Sequence, residues 1–130
     1  MRTLFLVASI LFSTSALAAV IVTDENFARA ETDLYFTQQV ERASVNQFEH
    51  NRDSVNVENQ MIIRSNTDLL YSTAVVDVSK GATFRLAKGE AFQVLHIFNN
   101  NHDNHMAIYG GEELYLDSEK AGSDYVYILM

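Results

Sequence analysis

The sequence predicts a mostly β (α+β) fold in which one N-terminal helix packs on antiparallel β structure. Two observations predict this fold. Helical periodicity is confined to residues 24–42, whereas from residue 60 onward short β-forming runs alternate with turn residues. Short strands at a spacing of about 8–12 residues are typical of an antiparallel meander, sandwich or partial barrel. We therefore expect a single β-rich domain over residues 19–130.

The first 18 residues have the three parts of a secretory signal peptide. Arg2 supplies a positive start, an apolar run follows over residues 4–12, and Ala16-Leu17-Ala18 is a small-residue cleavage site. The alternative is a buried N-terminal helix. The apolar run is shorter than the roughly 20 residues that span a bilayer. We therefore expect cleavage after Ala18, a periplasmic or secreted mature protein, and no membrane attachment after cleavage.

The composition excludes several classes of function. The chain has 9 basic and 17 acidic residues and a net charge of −8, which argues against nucleic acid and anionic membranes as partners. It has no cysteine, so disulfides and thiolate sites are excluded. Because neither a phosphate loop nor a dinucleotide fingerprint occurs, we expect no cofactor.

The helix is predicted over residues 24–42 because apolar side chains recur there at spacings of three and four. The expected buried stripe is Phe27, Ala30, Leu34 and Thr37 or Gln38. Residues 43–59 are polar and aperiodic, and they are predicted to form a long loop.

The rest of the chain is predicted to form short strands separated by turns at Lys80-Gly81, Lys88-Gly89 and Gly110-Gly111 and by an Asn-rich loop over 99–104. The final strand is strongly apolar and has no polar cap. It either pairs inside the sheet or leaves an open edge through which the protein self-associates. The predicted strands are 60–64, 70–78, 82–86, 91–98, 106–109, 112–116 and 124–130.

Two blocks of sequence resemble a known family. Residues 26–36 resemble its Asn-Phe-x-Arg-Ala-Glu-x-Asp-x-Tyr-Phe opening, and residues 63–81 resemble its Ile-Arg-x-Asn-x-Asp-x-Leu-Tyr-Ser signature and the following Val-Asp-x-Ser. The family is domain-of-unknown-function family 1254. The resemblance implies a jelly-roll-like domain of exported bacterial proteins and supplies no established reaction. It also implies further sheet beyond the position of Met130, so an incomplete sheet or a truncated member is expected.

The first candidate site lies in the second of these blocks. If residues 60–64 and their continuation are strand, Arg64, Asn66 and Asp68 share one face and offer a donor fork, an amide and a carboxylate. With the nearby Tyr71, this face is predicted to bind a small polar ligand through charge-assisted hydrogen bonds. The alternative is structural, with Asn66 and Asp68 organising a turn.

A carboxylate on the predicted helix stripe suggests a structural ion pair. Glu31 falls between Phe27 and Leu34, where an unpaired buried carboxylate is costly. We therefore expect Glu31 to pair with Arg64 and to tie the helix to the sheet.

Histidines supply the second candidate site. His102 and His105 flank Asp103 and Asn104, and His96 lies on the preceding strand. Such residues can bind zinc or a redox metal, but a third ligand has to come from elsewhere, and an Asn/Asp/His-rich connection is more typical of a plain hairpin loop. We therefore assign no metal site.

Three hypotheses for function remain open at this point. The first is an exported, non-enzymatic binding or accessory module. The second is a small periplasmic hydrolase or a metal-dependent jelly-roll enzyme, although no Gly-x-Ser-x-Gly elbow surrounds Ser72. The third is a truncated product without independent function. A concave pocket holding one of these histidines beside a carboxylate favours the enzyme.

Overall fold

A computed structural model of the protein describes residues 20–60 and 64–130. All its strand pairs are antiparallel, which confirms the predicted α+β fold class. The elements, in chain order, are α1 (Phe27–Arg42), β1 (Glu49–His50), β2 (Ser72–Asp77), β3 (Ala82–Arg85), β4 (Val94–Asn99), β5 (Asn104–Tyr109), β6 (Glu113–Leu116), α2 (Ser118–Ala121) and β7 (Tyr125–Leu129).

The strands form a five-stranded sheet in the order β1-β2-β7-β4-β5 and a two-stranded sheet of β3 and β6. The C-terminal strand β7 lies at the centre of the larger sheet, paired with β2 on one side and β4 on the other. Of the two alternatives for this strand, pairing inside the sheet is therefore right and the open apolar edge is wrong. Strand β7 offers no free edge for self-association, because both of its edges are already paired.

The hydrophobic core lies between the two sheets. Alternate side chains of β2, β4 and β7 point to the same face because successive residues of a strand point to opposite faces. On this inner face Ala74, Ile97 and Ile128 are fully buried, and Phe84 and Leu116 of the small sheet pack in the same cluster.

Helix α1 packs on β2 from the outer face of the larger sheet. Its buried residues are Thr32, Phe36 and Gln39, whereas Phe27 and Leu34 of the predicted stripe are 58% and 49% exposed. The predicted stripe is therefore wrong. Packing against the sheet decides which face of α1 is buried, because Phe36 contacts the ring of Tyr127 across the interface.

Six of the seven predicted strands are found, with ends shifted by up to three residues. The seventh prediction, 60–64, is not supported where it can be examined: residues 61–63 lie outside the described residues, and Gln60 and Arg64 belong to no strand. The short strand β1 lies in the segment predicted to be a loop.

The predicted signal peptide, residues 1–18, also lies outside the described part of the chain.

Within the described ranges, no helix is long and apolar enough to cross a membrane.

Candidate functional site

A cavity of about 600 Å³ opens on the outer face of the larger sheet, beside α1. Helix α1 forms one wall, the connection between β1 and β2 forms another, and the sheet forms the floor. We call it the outer groove. Its lining residues are Glu31, Thr32, Tyr35 and Phe36 of α1; Asn51, Val55, Asn59, Ser65 and Tyr71 of the β1–β2 connection; Thr73, Phe98, Tyr127 and Leu129 of the sheet; and His102.

The strand register determines which side chains form the floor of the groove. Thr73 lies opposite Leu129, and Phe98 lies opposite Tyr127, so these four side chains are cross-strand neighbours on the outer face. Helix α1 contacts β2 on this face, and its Phe36 meets Tyr127 of β7 at a ring-centroid distance of 5.7 Å. Apolar surface on the β4 side therefore stays open as the groove.

A polar network holds the helix side of the floor. The Gln39 side chain is fully buried, and its Oε1 accepts hydrogen bonds from Thr73 Oγ1 at 2.9 Å and Arg42 Nη2 at 2.7 Å. The Tyr127 hydroxyl also donates to Gln39 Oε1, at 3.5 Å. Burial raises the pKa of the Tyr127 hydroxyl above its ordinary value. The Tyr127 hydroxyl therefore stays neutral within this network over the physiological pH range.

The turn that carries His102 is built by the Asn99 side chain. Asn99 is 2% exposed, and its Oδ1 accepts hydrogen bonds from the backbone N–H of Asn101 at 2.9 Å and of Asp103 at 3.0 Å. Its Nδ2 donates to the carbonyl of Ala121 at 3.2 Å. His102 takes a left-handed backbone conformation, with φ 65°, which histidine tolerates better than most residues.

Helix α1 fixes the position of this turn. Asn100 donates to Asp33, and Thr32 Oγ1 lies 3.3 Å from His102 Nδ1. The Thr32 hydroxyl donates its one hydrogen to the carbonyl of Ala28 at 2.7 Å. It therefore accepts from His102, which places the proton of a neutral imidazole on Nδ1 and leaves Nε2 as an acceptor.

Of the four predicted ligand-binding residues, Tyr71 lines the outer groove and the other three do not. Arg64 has φ 63° in an exposed turn, and Asn66 Oδ1 accepts from the backbone N–H of Asp68 at 2.8 Å. The expectation that Arg64, Asn66 and Asp68 share the face of a strand is therefore wrong. Their local sequence forms an Asn-organised turn, which is the structural alternative.

Glu31 lies on the exposed side of α1, at the rim of the groove. The burial that motivated its pairing with Arg64 is absent. The ion pairs found among the described residues are Arg29–Asp33, Arg42–Glu49 and Arg85–Glu113, and Glu31 and Arg64 form none.

Two histidines of the second candidate site, His96 and His102, contact the same aromatic ring. His102 lines the groove and stacks on Phe98 at a centroid distance of 5.7 Å, whereas His96 stacks on Phe98 at 6.3 Å. His105 lies in β5. The described residues contain no group of three His, Asp or Glu side chains that could hold a metal ion.

One histidine contact was missed by sequence reasoning. His50 Nδ1 lies 2.8 Å from Ser72 Oγ, since these residues are direct partners of β1 and β2. Period-two patterning gives no signal for a two-residue strand, so the pair could not be found without the register. Neither residue lines the outer groove.

Residues 45–123 match the family described as Protein of unknown function (DUF1254), and this range is more than half of the 130-residue chain. The chain belongs to this family. The matched range includes the whole 63–81 block and β1 to α2, whereas the helix block 26–36 lies before it. The outer groove of this DUF1254 chain is thus built from both the matched range and the helix that precedes it. No curated protein and no solved structure gives a significant match.

Proposed function

We propose that this DUF1254 chain is an exported, non-enzymatic binding module whose outer groove holds a small, mainly apolar molecule. The observation that carries the proposal is the groove itself. Its volume of about 600 Å³ falls within the range of about 300–1,000 Å³ that is typical of ligand pockets. The sequence predicts a small polar ligand, whereas the groove favours a ligand with a larger apolar part.

The lining has the composition of a ligand site. Phe36, Phe98 and Leu129 supply apolar surface, and polar residues, among them Asn51 and Tyr71, line the same groove. Apolar surface of this kind gains about 25 cal/mol per Å² when a ligand removes it from water. The polar groups orient the ligand, because a polar group that loses its water when the groove is filled needs a hydrogen-bond partner on the ligand.

A fluorescent probe tests the proposal. N-phenyl-1-naphthylamine, which is uncharged in neutral buffer, is expected to become strongly fluorescent on binding the wild-type protein. Val55→Trp places a bulky ring in the groove from a half-buried loop position and should weaken probe binding by roughly tenfold, about 1.4 kcal/mol. Titration of the probe into each variant measures the dissociation constants.

The matched control is Val57→Trp, since Val57 is 85% exposed in the same connection and does not line the groove. This variant should bind the probe like the wild type. Circular dichroism establishes that both variants are folded. No fluorescence rise with the folded wild type, or equal weakening by the two variants, contradicts the binding function.

Hydrolysis is a second candidate function, favoured by one observation: His102 and the carboxylate-bearing Glu31 line the same groove. It ranks second because His102 Nδ1 contacts the Thr32 hydroxyl, whereas a Ser-His-Asp triad has a carboxylate at that nitrogen. Release of p-nitrophenol from p-nitrophenyl butyrate by the wild type, lost in His102→Gln, would replace the binding module with this alternative.

Export is the part of the proposal that rests on residues 1–18. Expression of the full chain in a bacterial host should yield periplasmic protein that begins at Ala19. Ala18→Arg should accumulate uncleaved precursor, because the signal peptidase site requires small residues, and Ala19→Ser should be processed normally. Intact-mass measurement of the periplasmic and cytoplasmic fractions distinguishes these products. Normal processing of Ala18→Arg contradicts the predicted cleavage site.

A further inference from the structure

We propose that the outer groove selects organic monocations, in which an amine or quaternary ammonium group is attached to an apolar body. This inference rests on the proposed binding function and adds the charge of the ligand. It is carried by three features of the lining: its net charge, its aromatic rings, and the hydrogen-bond acceptors at one end.

The first feature is charge. Of the described lining residues, Glu31 carries the one formal charge, and Lys and Arg do not occur among them. The arginines of α1 are engaged elsewhere, since Arg29 pairs with Asp33 at 3.2 Å and Arg42 pairs with Glu49 at 2.8 Å. The chain as a whole has a net charge of −8. A cationic ligand is therefore attracted to the groove and an anionic ligand is repelled.

The second feature is the aromatic lining, which consists of Tyr35, Phe36, Tyr71, Phe98 and Tyr127. The face of an aromatic ring carries partial negative charge and attracts a cation that lies within about 6 Å of the ring centroid. Because all five rings line one cavity, we expect a cation held there to meet a ring face. A neutral ligand of the same shape gains the apolar contacts but not this electrostatic part.

The third feature is the end of the groove near Thr32. Glu31 adjoins Thr32 on α1, and the His102 ring contacts Thr32 from the β4–β5 turn. Since the Nδ1 hydrogen of a neutral His102 is directed to Thr32, the imidazole offers Nε2 as an acceptor. Both groups at this end therefore accept hydrogen bonds, which matches the N–H donors of an ammonium, whereas neither group donates a hydrogen bond to a ligand carboxylate.

Three compounds with one scaffold and different charges test the inference: 4-phenylbutan-1-amine, 4-phenylbutan-1-ol and 4-phenylbutanoate. Each compound is titrated against N-phenyl-1-naphthylamine bound to the wild-type protein in neutral buffer, and displacement of the probe measures its affinity. The amine should bind roughly tenfold more tightly than the alcohol, from the combined cation–π and carboxylate attraction, and the butanoate should bind most weakly. Equal affinities of amine and alcohol, or tightest binding of the butanoate, overturn the inference.

Glu31→Gln removes the charge while keeping the size of the side chain. It should reduce the preference for the amine over the alcohol to about threefold or less. Glu41→Gln is the matched control, because Glu41 is exposed on the same helix and does not line the groove. An undiminished preference in folded Glu31→Gln overturns the role of this carboxylate. Failure of the wild type to bind the neutral probe instead overturns the binding function itself, so the two failures are distinguishable.

Discussion

Ile128→Ala is expected to lower the free energy of unfolding by about 2–5 kcal/mol. Ile128 is fully buried in β7, and its direct cross-strand partners are Ala74 on β2 and Ile97 on β4. Both partners are also fully buried, so the surrounding side chains have little freedom to close the space that the substitution leaves. The cost therefore includes the lost transfer free energy and a cavity.

Urea denaturation followed by circular dichroism measures this change by linear extrapolation. Ile21→Ala is the matched control, because Ile21 is 82% exposed, and it should change the free energy by less than about 0.5 kcal/mol. A loss below about 1 kcal/mol for Ile128→Ala would show that β7 does not occupy the centre of the sheet, since a core position loses more.

Asn99→Ala is expected to destabilise the protein by about 2–4 kcal/mol, because each buried group left without its partner costs about 1–3 kcal/mol. The Asn99 side chain accepts two hydrogen bonds from the backbone of its own turn, and its Nδ2 donates to the Asp103 carboxylate and to the carbonyl of Ala121, which is fully buried. The methyl group of alanine replaces none of them. The same substitution should weaken probe binding in the outer groove, because the turn that carries His102 loses its internal support.

Asn101→Ala is the control for this experiment. Asn101 is exposed two positions along the same turn, and its side chain accepts one surface hydrogen bond from Arg29 at 3.3 Å. Its loss should cost less than about 0.5 kcal/mol. Equal destabilisation by the two variants, measured by urea denaturation, would mean that the turn does not depend on the Asn99 side chain.

The strands could be predicted because their signals are local. Period-two alternation and the turn residues at Lys80-Gly81 and Gly110-Gly111 act over a few neighbours, so six strands were placed within three residues of their observed ends. The helix could be predicted for the same reason, although it begins at Phe27 and not at residue 24. Family membership could also be predicted, since the 63–81 block that carries the resemblance lies within the matched range.

The candidate site could be predicted only in part. Tyr71, Glu31 and His102 were singled out from the sequence, and all three line the outer groove. The reasons given for them were wrong or incomplete: Glu31 was expected to be buried and paired with Arg64, and His102 was considered as a metal ligand. Phe98 was missed, because aromatic residues at strand spacing give no sign of which face of the sheet stays open.

The sequence by itself determined the α+β class, the strand segments, the acidic charge and the family, since each is encoded in composition or in short-range patterns. Only the tertiary structure decided the central position of β7, the face on which α1 packs, and the groove beside it. These features depend on pairing between segments far apart in the chain, where Leu129 meets Thr73 and Phe98 meets Tyr127. Local patterning specifies that a residue lies on a strand, whereas the choice of neighbouring strand comes from the free energy of the whole packed sheet.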